Sequence, residues 1–177
     1  MRTLETYQPS GDGELRMNML ECIKAEEASS GAQSGEIMTT ELAPQVELAY
    51  RVERELLKMP QADHTTEHDF VDGVYARTFS VPAGVLLTGA MHRHPSFFVV
   101  RSGLFWVTTA KGDKLVGPGE MIATKPGTKR ILLTMTPTVI TTFHANPTNE
   151  TDPEKLWEMF TIPEPEGLLL ESAEVMP

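Results

Sequence analysis

The sequence predicts a mainly β protein: an antiparallel β-sandwich or barrel with a helix before it, a short helix after it and a polar arm at each end. Three observations carry that prediction. Turn signals recur about every 8–12 residues between Val74 and Phe143, with no helical period between them. Helical periods flank this stretch on both sides. Charge divides the chain the same way: residues 1–42 carry a net −5, residues 150–177 a net −7, and the middle a net +2. Acidic ends of low aromatic content around a balanced middle read as a folded domain with polar arms. The boundaries that follow are an arm over 1–42, a β domain with flanking helices over 43–162, and an acidic tail over 163–177.

The arm holds Ser-Gly-Asp-Gly at 10–13 and a Ser/Gly/Ala stretch at 28–35, both linker compositions. Between them Met17, Leu20 and Ile23 fall on one side of a short potential helix. From Pro44 to Lys58, Leu48, Val52 and Leu56 form an i, i+4, i+8 row, and Met59-Pro60 stops the helix. Residues 63–67 read as a loop, which places His64 and His68 on the surface. Strand-like runs then follow at Val74–Val81, Ser96–Arg101, Leu104–Thr109, Met121–Thr124, Arg130–Met135 and Val139–Phe143. Ser102-Gly103 reads as a hairpin, and Lys111-Gly112-Asp113 and Gly117-Pro118-Gly119 as further turns. Closing such a sheet disposes of its edges. Asp152-Pro153 opens a helix with Leu156, Trp157 and Phe160 on its apolar side. In the tail, Leu168, Leu169 and Leu170 form an apolar handle within acidic surroundings.

Composition removes several classes of function. Fifteen basic and twenty-five acidic residues give a net charge of −10, which argues against nucleic-acid binding through a basic face. No apolar run approaches the roughly 20 residues that span a bilayer, and the first residues lack the apolar core of a secretory signal. The lone Cys22 excludes an internal disulfide framework and a cysteine-rich zinc site. No phosphate-cradling glycine loop, Ser-His-Asp spacing or HExxH is present.

His92-Arg93-His94 resembles the first motif of the cupin superfamily, in which two histidines two apart are followed by a glutamate and a closing glycine. Residues two apart in a strand share a face, so His92 and His94 are expected to enter the barrel together. Gly103 supplies the closing glycine. Ser96, Phe98 and Val99 occupy the region of the glutamate, and Leu86 stands at the opening glycine. In the second motif Gly119 and Gly127 fit and the proline shifts to Pro126. Arg130 replaces the metal-binding histidine, and Thr134 the asparagine. A metal site would thus comprise His92, His94 and His144, the last as substitute nitrogen ligand. Arg130 sets a permanent charge against any cation there and suits a carboxylate or phosphate instead.

A further resemblance, over residues 65–160, is to cupin-like proteins of tailed bacteriophages. It is carried by His68-Asp69-Phe70, Asp72-Gly73-Val74-Tyr75-Ala76-Arg77, Pro82-Ala83-Gly84, Gly89, His92, Lys125-Pro126-Gly127-Thr128-Lys129-Arg130, His144 and Thr151-Asp152-Pro153-Glu154-Lys155. With the arms, it implies a non-catalytic structural protein of the phage particle: a capsid decoration, neck or tail component. Such a protein is made in the host cytoplasm and resides in the virion. Its partners would be other virion proteins and copies of itself in a homo-oligomer, without nucleic acid, membrane or cofactor. Met17, Leu20, Ile23 and Leu168 to Leu170 would be its assembly anchors. Two alternatives stand beside it. One is a metal-dependent dioxygenase or isomerase holding a divalent transition metal; the other is a small-molecule binder using the barrel interior and Arg130 in the infected host.

Overall fold

The computed structural model describes residues 5–7, 44–109 and 112–164, with side chains from residue 44 onward. After the short strand β1 (Glu5–Tyr7) come helix α1 (Pro44–Leu56) and strands β2 (Thr65–Val71), β3 (Gly73–Val81), β4 (Leu86–Thr88) and β5 (Ser96–Ser102). Strands β6 (Phe105–Thr109), β7 (Gly112–Val116), β8 (Met121–Thr124), β9 (Ile131–Thr134) and β10 (Thr138–Asn146) follow, and helix α2 (Pro153–Phe160) is last. All pairings are antiparallel. One sheet is ordered β1-β4-β9-β6-β7 and the other β2-β3-β10-β5-β8. Without the outermost β1 and β2, β3 to β10 form two four-stranded sheets in the double Greek-key order of a jelly roll. The fold is the mainly β antiparallel sandwich with flanking helices that the sequence predicts, with jelly-roll connectivity.

Three parts of the chain differ from the sequence reading. The stretch assigned to a loop before Phe70 is strand β2, joined to β3 by a turn at Asp72-Gly73 in which Gly73 has φ +75°. Asn149 braces this turn by accepting from Gly73 N at 2.8 Å and donating to Asp72 Oδ1 at 2.7 Å. Ser102-Gly103 is a corner between sheets instead of a hairpin, because β5 pairs with β8 and β10 while β6 pairs with β7 and β9. Gly103 is required there: φ is +86°, and a Cβ would lie 2.4 Å from the Pro137 carbonyl oxygen. Glu5–Tyr7, within the segment read as an arm, lies along β4.

Helix α1 covers part of the outer face of the first sheet through Val46, Ala49, Tyr50, Val52 and Leu56, all buried. A polar clip fixes it. The buried Lys129 ammonium donates to Glu53 Oε1 at 2.7 Å and to the Gly89 carbonyl at 3.0 Å, and lies 4.5 Å from the Tyr50 ring centre. Burial and the nearby Glu53 and Glu164 carboxylates push the Tyr50 hydroxyl up to about 12. Helix α2 starts where Asp152 accepts from Glu154 N at 3.0 Å, with proline at its first position. It packs Leu156 and Phe160 on Tyr75 at one end of the barrel. Among the described residues no helix is long and apolar enough to cross a membrane.

Candidate anion site in the barrel

Alternation along three paired strands builds the interior in rows. On β3 the inward residues are Tyr75, Arg77, Phe79 and Val81. Their register partners on β10 are His144, Thr142, Ile140 and Thr138. Phe98 on β5 pairs with Thr142, and Val100 with Ile140. The rows of Phe79 and Val81 belong to a core with Val85, Phe105, Val107 and Val116. The rows of Tyr75 and Arg77 open into a cavity of about 480 Å³ beneath α2. Its apolar wall includes Phe79, Leu87, Phe98, Leu132, Ile140 and Trp157, and its polar groups include Arg77, Arg130, His68, His92 and His144.

The two arginines come from opposite sheets. Arg77 is on β3, with its guanidinium carbon 5.8 Å from the Trp157 ring centre and 6.0 Å from that of Phe79. Its buried Nε has no hydrogen-bond partner, and no ion pair reaches it among the described residues. Arg130, just before β9, donates Nη1 to the Thr108 carbonyl at 3.2 Å and Nη2 to the Ala123 carbonyl at 3.3 Å. That joins one strand of each sheet and leaves its own buried Nε without a partner. Burial draws both guanidiniums below the ordinary arginine value, yet a group that starts so high keeps its charge. The carboxylates in the lining, Glu154 and Glu158, are exposed on α2.

The histidines form part of a ring ladder. His92 and His144 stack with centroids 5.1 Å apart at 22°, and His144 stacks on Phe160 at 4.9 Å and on Tyr75 at 5.8 Å. His68 Nδ1 shares a 2.7 Å hydrogen bond with the Tyr75 hydroxyl. Burial, then Arg77, then Lys129 lower His92 to about 4; burial, then His92, then Arg77 lower His144 to about 3. His68 is lowered chiefly by burial, and burial raises the Tyr75 phenol. All three imidazoles are therefore neutral at neutral pH. The Nδ1 of His92 is buried and unpartnered.

Of the residues singled out as metal ligands, the structure brings His92 and His144 together and leaves His94 out. His92 occupies an isolated bridge to Thr161, residues 93 and 94 form a bend, and His94 is exposed outside the cavity lining. The expected two-residue alternation fails there because the chain turns to hold down α2. Arg93 N donates to the Phe160 carbonyl at 2.8 Å, and Arg93 Nε to the Thr161 carbonyl at 2.7 Å. Among the described residues no group of three His, Cys, Asp or Glu side chains is placed to share a metal ion. Two stacked imidazoles, no inward carboxylate and two guanidiniums do not fit the divalent ion of a cupin centre. Arg130 lines the cavity. Met17, Leu20, Ile23, Leu168, Leu169 and Leu170 lie outside the described residues.

Sequence reasoning missed Arg77 and His68. The signal for Arg77 was present: it shares strand parity with Phe79 and Val81, so a charge stood on an inward face. His68 was hidden by the loop reading.

No protein-family model matches the chain, and no curated protein matches it in sequence. Among solved structures, it is similar to the Cupin_2 domain of an XRE family transcriptional regulator from Enterobacter cloacae. That match has 12% identity and a TM-score of 0.41, covering 48% of this chain and 97% of that one. A cupin-2 domain protein from Shewanella frigidimarina matches at 10% identity and TM-score 0.41, over 54% and 92% of the two chains. Salicylate 1,2-dioxygenase from Pseudoaminobacter salicylatoxidans matches at 13% and 0.45, over 64% of this chain and 33% of the enzyme. Matches at this level assign no activity to this chain.

Proposed function

We propose that this protein binds a small organic anion, a carboxylate or phosphate ester with an apolar body, inside the jelly roll. One observation carries the reading: two half-buried guanidiniums, Arg77 and Arg130, each with a buried Nε that has no partner, line a largely apolar cavity whose inward wall holds no carboxylate. A buried cation without a counter-ion is costly, and an anionic ligand offsets that cost with charge-assisted hydrogen bonds. The apolar wall suits the body of such a ligand and sets its size. The neutral imidazoles of His92 and His144 supply hydrogen-bonding edges and planar faces without adding charge.

The role in a phage particle draws its support from the resemblance and the terminal arms, of which residues 1–4, 8–42 and 165–177 lie outside the described residues. Mass spectrometry of purified particles tests it separately. The anion reading is tested by calorimetric titration with a series of small aliphatic and aromatic carboxylates and phosphate esters, each beside its neutral amide or alcohol. At least one acid should bind, its neutral counterpart should not, and Arg77→Gln should weaken binding at least tenfold. If elemental analysis instead finds about one transition metal per chain, lost in His92→Ala, the metalloenzyme reading replaces this one.

A further inference from the structure

The outer face of the second sheet departs from the polar-out pattern of an antiparallel sheet with one solvated side. Register places Asp69, Ala76, Phe143, Phe97 and Ala123 in one row across all five strands. Glu67, Thr78, Thr141, Val99 and Met121 form the next. Val71, Val74 and Ala145 continue the face on the other side of the phenylalanine row. Phe97 is 47% exposed, Phe143 40%, Met121 63% and Val71 73%. The Thr78 and Thr141 hydroxyls, polar groups at the centre of this face, satisfy each other at 2.8 Å. Five strands at about 4.8 Å spacing, with rows about 7 Å apart, give a footprint on the order of 400 Å² before side-chain relief is counted. The largest apolar patch on a monomer is often of this order and often functional; here the area alone does not select a partner, and the charge around it does.

Charge on the two edges selects the occupant. The β2 edge carries Glu67 and Asp69, neither in an ion pair among the described residues. On the opposite side Arg101 is exposed in the irregularity of β5, and Lys125 is exposed just past β8. We propose that this face binds a second copy of the chain, sheet on sheet, with Phe97 and Phe143 at the centre. A two-fold axis lying in the face and parallel to the strands lays the acidic β2 edge of each copy over the basic β5–β8 edge of the other. The perpendicular in-plane axis would set acid against acid. The surface is therefore self-complementary, as an isologous dimer requires. This inference is independent of the ligand in the cavity.

Sedimentation velocity on the full chain at micromolar concentration should show a dimer. Phe97→Glu should make it monomeric with circular dichroism unchanged. Two charge-reversal variants test the orientation without touching the apolar centre: Glu67→Lys with Asp69→Lys, and Arg101→Glu with Lys125→Glu. Each alone should weaken the dimer at least tenfold, and an equimolar mixture should recover dimer, because each then meets opposite charge on both edges. A monomeric wild-type chain, a dimer indifferent to the reversals, or reversals that fail to complement each other overturns the proposal.

Discussion

The two ends of the barrel interior are built on the same strands yet obey different rules. At one end Phe79, Val81, Val100, Phe105, Val107 and Val116 fill the space between the sheets with apolar atoms alone. At the other, two residues along the same strands, Tyr75, Arg77, Thr142 and His144 replace them and the packing opens into a cavity. The first end satisfies itself. The second leaves Nε of Arg77, Nε of Arg130 and Nδ1 of His92 buried without partners, a cost a fold tolerates where it serves a ligand. The difference teaches a division of labour: the dry end stabilises the sandwich, and the polar end draws on that stability.

The sharpest way to break this comparison is to damage the dry end. Phe105 is fully buried and packs on Phe98 at 6.2 Å between ring centres. Truncating a buried phenylalanine removes its transfer free energy and leaves a cavity, so Phe105→Ala should cost about 3–5 kcal/mol in urea unfolding. A loss below about 1 kcal/mol would mean that the dry end is not the source of stability.

A pH titration probes the polar end. His92 and His144 have folded values of about 4 and about 3, below the ordinary value near 6.5. Between those limits the unfolded chain binds protons that the folded chain refuses, so stability must fall as pH drops below 6.5. The slope is about 1.4 kcal/mol per pH unit for each ring, flattening as the folded values are reached. His144→Phe should remove one ring's share of that slope while leaving stability at pH 8 little changed. An unaltered slope would place His144 in a wetter setting than its ring stack describes.

How much of this was legible follows from the range of each signal. Strands β3, β8 and β10 and helix α2 were readable because their hydrophobic period and their bounding Gly, Pro and Asp are local. The three residues of β4 are too few to show a period, and β2 carries Thr65-Thr66-Glu67-His68, whose polarity reads as loop until pairing with β3 gives it a reason. The corner at Gly103 reads locally as a hairpin; which sheet the next strand joins is decided by partners far along the chain. At the site, the sequence singles out Arg130, His92 and His144, all of which line the cavity, but pairs His92 with His94. The bend that turns His94 outward depends on contacts at the end of α2, as in the hydrogen bond from Arg93 to Thr161, 68 residues away. Strand parity alone could not supply it.

The smallest expected effect on stability is also the most discriminating. Arg77 sits one inward position from Phe79, so a structural role and a ligand role make opposite predictions for its replacement by an apolar side chain of similar length. If the guanidinium held the fold together, Arg77→Met would leave partners stranded and cost several kcal/mol, as breaking a buried pair does. The structure gives it no carboxylate to strand: its neighbours are the faces of Trp157 and Phe79, surfaces a methionine also covers. Removing a half-buried charge that has no counter-ion among the described residues should therefore leave the unfolding free energy within about 1 kcal/mol of wild type or raise it. Anion binding should vanish in the same variant, and with it the rise in melting temperature that a bound ligand confers. Urea unfolding with and without a binding carboxylate, run beside Phe105→Ala, separates the cases. If Arg77→Met unfolds as readily as Phe105→Ala, the polar end holds the fold as the dry end does, and the division of labour fails.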